Sequence, residues 1–395
     1  MIYVHVPFCR SFCTYCGFYS ERACPTAGWV DEVCREALSR SAEIEASSAV
    51  DTLYFGGGTP SVLPLSYLGR IADACGGRSY KEWTVEVNPD DVTPEYAAGL
   101  RALGVNRVSM GVQSLDDGML RWMNRRHSAD GARAAFRTLR DAGFDNISVD
   151  VIFGVSGLSD AVLEATVREI VAWRPEHVSA YQLSVEEGSA LEELVRAGRY
   201  AELPDEACSR QYSLICSILA SAGYGHYEIS NWALPGRRAL HNSAYWSRSP
   251  YVGLGPGAHS LRSALATIPL HPQGTGGVPP ETPCVAPSEA SPLATIPQHP
   301  QGTGEGSPDT PSVATSIRSW NSEALSGWRA ESEVLTEEQI REERIMLGLR
   351  TAEGVDAALV GHGSGGSLVP SGVPGRVRIP EDKWFVADSI IAELI

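Results

Sequence analysis

The chain has 395 residues, 43% of them hydrophobic and 20% charged, with a formal net charge of −16. That negative balance argues against electrostatic binding to nucleic acid or to an anionic membrane surface, because phosphate groups would be repelled. No apolar run reaches the ~18–20 residues that cross a bilayer, no basic-then-apolar export signal opens the chain, and nine cysteines crowded at the front and then scattered do not resemble a secreted disulfide framework, so a soluble protein of a reducing cytoplasm is expected.

The first predicted element is a short strand, Ile2–Pro7, which runs straight into Cys9, Cys13 and Cys16. Strand candidates follow at Thr52–Phe55, Thr84–Val87, Arg107–Val112, Ile147–Phe153 and Val178–Leu183. Helix-like stretches at Trp29–Ile44, Pro94–Leu103, Ala129–Ala142 and Asp160–Trp173 lie between them. This alternation implies right-handed crossovers and parallel strands. Six such units predict an α/β fold, a partial (β/α)6 barrel rather than a closed eight-fold one.

Chemistry in a parallel barrel collects at the carboxyl ends of the strands, and polar or permissive residues stand there. The second strand runs into Gly56-Gly57-Gly58-Thr59-Pro60-Ser61, the third carries Glu86, the fourth ends at Gln113, and the fifth carries Asp150. Glu86 sits between Val85 and Val87, and Asp150 between Val149 and Val151, so strand alternation turns both carboxylates to the face opposite their valines. Taken singly, a triple glycine reads as a flexible turn and a strand carboxylate as a structural hydrogen-bonder. At successive strand ends they read as a site.

The cysteine spacing is Cys-x3-Cys-x2-Cys. A structural zinc wants four protein ligands, and the nearest further candidate, His5, is inside the preceding strand. A 4Fe–4S cube usually takes four thiolates, one per iron, so three leave one iron open for an exchangeable ligand. S-adenosylmethionine fits that place through its amino and carboxylate groups. The glycine run would let it approach closely, and a strand carboxylate can accept from ribose hydroxyls.

With Tyr3-Val4-His5-Val6-Pro7-Phe8-Cys9, Tyr15-Cys16, Gly56–Ser61, Glu86-Val87-Asn88-Pro89, Arg107–Ser114, Arg125 and Asp150, the chain resembles the radical S-adenosylmethionine superfamily. Within it, the likeness is to the branch containing oxygen-independent coproporphyrinogen III oxidase and the heme chaperone HemW, over roughly residues 1–260 and again from about 318. The resemblance implies a 4Fe–4S cluster on Cys9, Cys13 and Cys16. It further implies that Tyr3, Tyr15, Gly57, Gly58, Thr59 and Glu86 surround S-adenosylmethionine, and that Gln113, Arg125 and Asp150 line the adjoining cavity. Arg125 has the plainer alternative of a surface helix residue.

Two absences separate this chain from the oxidase: Phe18 stands where a fourth cysteine is typical, and only eight residues precede Cys9. A positive feature points to the chaperone side, the segment His241-Asn242-Ser243-Ala244-Tyr245-Trp246, followed by Gly253–Ser260. His241 is the candidate heme ligand, with Tyr245 and Trp246 as ring contacts; the plainer reading is that His241 caps a turn while the two aromatics are core. The resemblance thus implies noncatalytic binding of heme and its transfer to an acceptor protein, with room for transient contact with membrane-bound acceptors. The alternative is the oxidase, a radical enzyme decarboxylating propionate side chains.

Residues 263–315 depart from this pattern. Leu265–Gly276 recurs as Leu293–Gly304 with one substitution in twelve, a two-copy, Pro- and Gly-rich duplication expected to be an exposed disordered loop. Thr336-Glu337-Glu338-Gln339 has the form of a capping box opening a helix through Leu349. The expected organisation is therefore a barrel at 1–185, an extension at 186–262, the insert at 263–315, and a helical module with a β-wing at 316–395 that completes an α+β extension.

Overall fold

The computed structural model describes residues 1–77, 79–263, 316–361 and 367–395. The duplicated insert falls, from residue 264 on, outside the described residues. The six predicted strands are present as β1 (Ile2–Val6), β2 (Thr52–Gly57), β3 (Glu82–Val87), β4 (Arg107–Gln113), β5 (Ile147–Phe153) and β6 (His177–Gln182). They pair in sequence order and in parallel, so the partial barrel read from the sequence is the observed architecture.

The sheet continues beyond them. β7 (Gly225–Glu228) and β8 (Asn231–Ala233) add antiparallel strands at the β6 edge, and β9 (Val252–Leu254) adds a parallel strand beside β1. The order is β7-β8-β6-β5-β4-β3-β2-β1-β9, with β7 and β9 at its two ends.

Alternation along the strands sorts the side chains. Val4, Val6, Leu53, Phe55, Val85, Val108, Met110, Val149, Val151 and Val178 are buried beneath the surrounding helices. The intervening positions, Tyr3, His5, Thr52, Tyr54, Glu86, Ser109, Asp150, His177 and Ser179, carry polar groups. Each outward aliphatic contributes about 1.5–3 kcal/mol on burial, so the layer between sheet and helices holds the barrel together and the lumen is left polar.

The helices owe their limits to local chemistry. In the helix Pro94–Leu103 the Thr93 side chain accepts from Tyr96 N–H, Pro94 sits in the first turn, and Gly104 at φ 104° ends the helix. In the helices Ala129–Asp141 and Asp160–Trp173, Ser128 and Ser159 cap the start, and Ala132, Ala135, Phe136 and Leu139 form one buried stripe of the former. The single helix expected over 29–44 is two, α1 (Ala27–Ser39) and α2 (Ser41–Ala46). The break falls at Arg40, whose guanidinium donates to Gly253 O (2.8 Å) and Ser260 Oγ (3.1 Å).

Past β9 the chain forms β10 (His259–Ser263), β11 (Ser316–Asn321) and β12 (Ala330–Leu335), an antiparallel sheet in which Ser263 faces Ser316. The predicted capping box is present: Thr336 Oγ1 accepts from Gln339 N–H and Gln339 Oε1 from Thr336 N–H at the start of the helix Glu337–Leu349. A further three-stranded sheet built from Val355–Asp356, Val369–Pro370 and Arg376–Arg378 follows it. Among the described residues no helix is long and apolar enough to cross a membrane.

Candidate functional site

The cysteine loop leaves β1 and is held at several points. Glu21 N–H donates to Pro7 O (2.6 Å) and Cys9 N–H to Glu21 O (3.0 Å), while Thr14 N–H donates to Met123 O (3.1 Å) and Leu191 N–H to Thr14 O (2.8 Å). This leaves Cys9, Cys13 and Cys16 free and each half-buried. Thr59 Oγ1 lies 3.3 Å from Cys9 Sγ, and Arg125 Nη1 donates to Cys13 Sγ at 3.3 Å while its Nη2 donates to Gly111 O at 2.6 Å. Arg125 is therefore turned inward to the cysteines rather than along a surface helix. Burial raises the Cys9 thiol and pushes Cys16 up to about 11, so metal binding here must displace protons.

The glycine segment makes its close approach to the chain itself. Gly58 N–H donates to Val6 O (2.8 Å) and Thr59 N–H to Phe8 O (2.9 Å), which fastens the root of the cysteine loop to the end of β2. A Cβ on Gly58 would stand 2.8 Å from Val6 O, and one on Gly57, at φ +105°, would lie 2.5–2.9 Å from the His5 ring. Gly57 N–H instead donates to Glu86.

Glu86 and Asp150 share the lumen. Tyr54 OH donates to Glu86 Oε1 at 2.7 Å, and burial still lifts the Glu86 carboxyl to about 7. Ser109 OH stands 3.3 Å from both Asp150 oxygens, and burial raises Asp150 against the donation from Ser179. Gln113 adopts φ 67°, where the β4–β5 register slips between Gly111 and Gln113. A left-handed glutamine at a strand end is the kind of backbone strain found where a side chain is aimed. Tyr3 stacks on Tyr54 at 6.1 Å between centroids and bonds to His5 Nδ1 at 3.0 Å, and Tyr15 is half-buried beside Cys13, Cys16 and Arg125, its hydroxyl raised by desolvation against the pull of Arg125.

A cavity of about 200 Å³ continues below Glu86, lined by Tyr54, Arg107, Ser109, His177, Ser179 and His241 among others. Arg107 is only 3% exposed and its Nε has no hydrogen-bond partner among the described residues. The sequence reading missed it because it opens its strand rather than closing one, although alternation puts it on the same side as Ser109, the cross-strand neighbour of Glu86.

The expected heme contacts lie at the opposite end. His241 is the second residue of the short helix Leu240–Trp246, whose first N–H groups donate to Glu82, Leu240 to Oε2 at 2.8 Å and His241 to Oε1 at 2.9 Å. Its Nδ1 is bonded to Thr52 Oγ1 (2.8 Å) and its Nε2 to Tyr245 OH (3.0 Å), and the side chain is buried. Burial lowers its pKa to about 3. Both ring nitrogens are hydrogen-bonded to hydroxyls, so ligation of iron by His241 requires one of these two bonds to open. Tyr245 packs edge-on against Tyr251 at 4.8 Å, and Trp246 is half-buried. Thr52 opens β2 and Gly57 closes it, which separates this floor from the cysteine end by about 16 Å at ~3.3 Å per residue.

The thiols suit a cluster better than a single ion. Among the described residues no three His, Cys, Asp or Glu groups converge as a mononuclear metal site. A polynuclear cluster takes one thiolate per iron and keeps them further apart, and Arg125 offers the compensating positive charge.

Residues 3–170 match the model of the Radical SAM superfamily. A heme chaperone HemW of Mycobacterium tuberculosis is 38% identical over 268 residues, 65% of this chain and 68% of that one. The HemW of Bacillus subtilis is 33% identical over 277 residues, 68% of this chain and 73% of that one. Coproporphyrinogen III oxidase (HemN) of Escherichia coli, a radical SAM enzyme, superposes with a TM-score of 0.64 at 16% identity, covering 99% of this chain and 88% of that one. That likeness is one of fold.

Proposed function

The chain belongs to the HemW family within the radical SAM superfamily, and from that membership we propose that it is a heme chaperone, binding heme and passing it to an acceptor protein. Cys9, Cys13 and Cys16 hold a 4Fe–4S cluster whose open iron takes S-adenosylmethionine. The observation that supports this reading is the presence, at the carboxyl end of the barrel, of three half-buried free thiols on one loop, with the Arg125 guanidinium on Cys13, above the lumen carboxylate Glu86.

When bound, the cluster and S-adenosylmethionine supply an electron source beside a sulfonium. The residues around them do the holding. Arg125 offsets the thiolate charge from the protein side, and Thr59 donates toward Cys9. Glu86, fixed by Tyr54 and Gly57 N–H, accepts from the ribose hydroxyls. Gln113 and Asp150 line the space beyond. In this reading residues 1–185 carry the cofactors, 186–262 extend the barrel, and the module at 316–395 offers packing and acceptor contact. Turnover of a porphyrinogen substrate is not needed for that role.

The test is anaerobic reconstitution followed by heme titration and by incubation with coproporphyrinogen. About one heme bound per chain, with coproporphyrinogen left intact, is the expected result. A folded, cluster-loaded protein that ignores heme and decarboxylates coproporphyrinogen would sink the chaperone reading in favour of the oxidase.

A further inference from the structure

An iron ligand is the first thing to look for in a heme site, and four of the described histidines have both ring nitrogens hydrogen-bonded, while His127 is buried with its Nδ1 unpartnered among the described residues. His5 bonds Tyr3 OH and Tyr19 O, His177 bonds Ser148 and Tyr227, His226 bonds Glu381 and Tyr212, and His241 bonds Thr52 and Tyr245. His127 is 4% exposed, with Nε2 against Val112 O. Among the described histidines His259 alone is exposed, and no described residue hydrogen-bonds its ring nitrogens.

The surroundings of His259 are built rather than incidental. The Gly255–Ala258 turn before it is welded to β1, since a Cβ on Gly255 would stand 2.7 Å from His5 O, and Gly257 lies against Tyr19 of the cysteine loop. Along β10, Ser260 and Arg262 point to α1 and α2, where Ser260 Oγ accepts from Arg40 and Arg262 pairs with Glu43. Alternation therefore turns His259 and Leu261 the other way. Across the ladder they face Trp320 and Arg318. The His259 and Trp320 rings lie 6.4 Å apart at 30°.

One face of this hairpin thus offers an imidazole with no hydrogen bond from a described residue, an indole and an aliphatic side chain, beside the loop that carries the cysteines, while Arg318 is held by Glu333 and Glu343. An axial imidazole stands perpendicular to a porphyrin, so an indole nearly parallel to it meets the porphyrin edge-to-face, a favoured aromatic arrangement. Resting on the heme-binding reading above, we propose that His259 is the axial ligand of the bound iron porphyrin, with Trp320 against its face.

The experiment is an anaerobic ferric and ferrous heme titration of the cluster-loaded full chain, read by the Soret band, for wild type, His259→Ala, His259→Gly and His241→Ala. The expected result is an imidazole-ligated spectrum in wild type, lost in His259→Ala with affinity weakened by about tenfold or more. Added free imidazole should restore the wild-type band in His259→Gly, a rescue that a purely structural role would not give. Matching circular dichroism and iron content across the set establishes that the variants are folded. Wild-type spectra in both His259 variants, or loss of the imidazole band in His241→Ala alone, overturn the assignment while leaving heme binding in place. No binding by wild type removes the functional reading itself.

Discussion

Replacing Glu86 by glutamine is expected to flatten the pH dependence of S-adenosylmethionine affinity. Glu86 lies in the lumen with its carboxyl lifted by burial to about 7, against Tyr54 OH at 2.7 Å. Ribose hydroxyls donate, so they favour the ionised carboxylate, and binding below pH 7 must first release its proton. The ionised fraction rises from roughly a tenth at pH 6 to roughly nine-tenths at pH 8, so wild-type affinity should tighten by about tenfold over that interval. Glutamine keeps the size and an acceptor for Tyr54 but does not titrate. The assay is anaerobic equilibrium dialysis of labelled S-adenosylmethionine with cluster-loaded protein at pH 6, 7 and 8. The cofactor's own amine titrates identically with both proteins, so the difference between the two profiles isolates Glu86. Parallel profiles would refute the assignment of Glu86 to the ribose.

Two further outcomes are expected. Gly57→Ala and Gly76→Ala impose alanine on nearly the same left-handed backbone, φ 105° and 104°, but only at Gly57 does the new methyl meet the His5 ring, the space at Gly76 being open. Gly57→Ala should therefore lose an additional ~1–3 kcal/mol from overpacking and reconstitute with less iron; equal melting temperatures and iron contents would sink the clash argument. Glu228 is fully buried, accepting from Ser230 N–H, Asn231 and Asn242, and its carboxyl is raised to about 7. Because the folded state holds its proton more tightly than the unfolded one, stability is greatest below about pH 4.5 for this group and falls as pH rises through 7, by about 3 kcal/mol in all. Urea unfolding of metal-free protein should show that decline between pH 5 and 8 and its loss in Glu228→Gln.

What could be read before folding was what depends on neighbours in sequence. Alternation around Glu86 and Asp150 gave their inward direction, and the glycine run and cysteine spacing marked the loop end. The segment at His241 could not be resolved in the same way. Its residue types suit a ligand or a core plug equally, and its deciding partner, Thr52, is 189 residues away. Arg107 was overlooked for a related reason, since only the register β3–β4 puts it beside the lumen. The break at Arg40 likewise comes from Gly253 and Ser260, more than 200 residues on, which helix periodicity does not contain. In each case local pattern set direction, and long-range pairing set the role.

The facing pair Ser263 and Ser316 has a practical consequence. A hairpin whose two strands are held in register as far as its last residues fixes both ends of whatever joins them. Closing roughly fifty residues there rather than about four costs only about 2 kcal/mol of chain entropy, so the junction is a natural splice point. A fluorescent domain inserted at that position would sit at the tip of the ladder that carries His259 and Trp320, and porphyrin absorption would quench it. The hairpin would then serve as a built-in optical gauge of cargo arrival and departure.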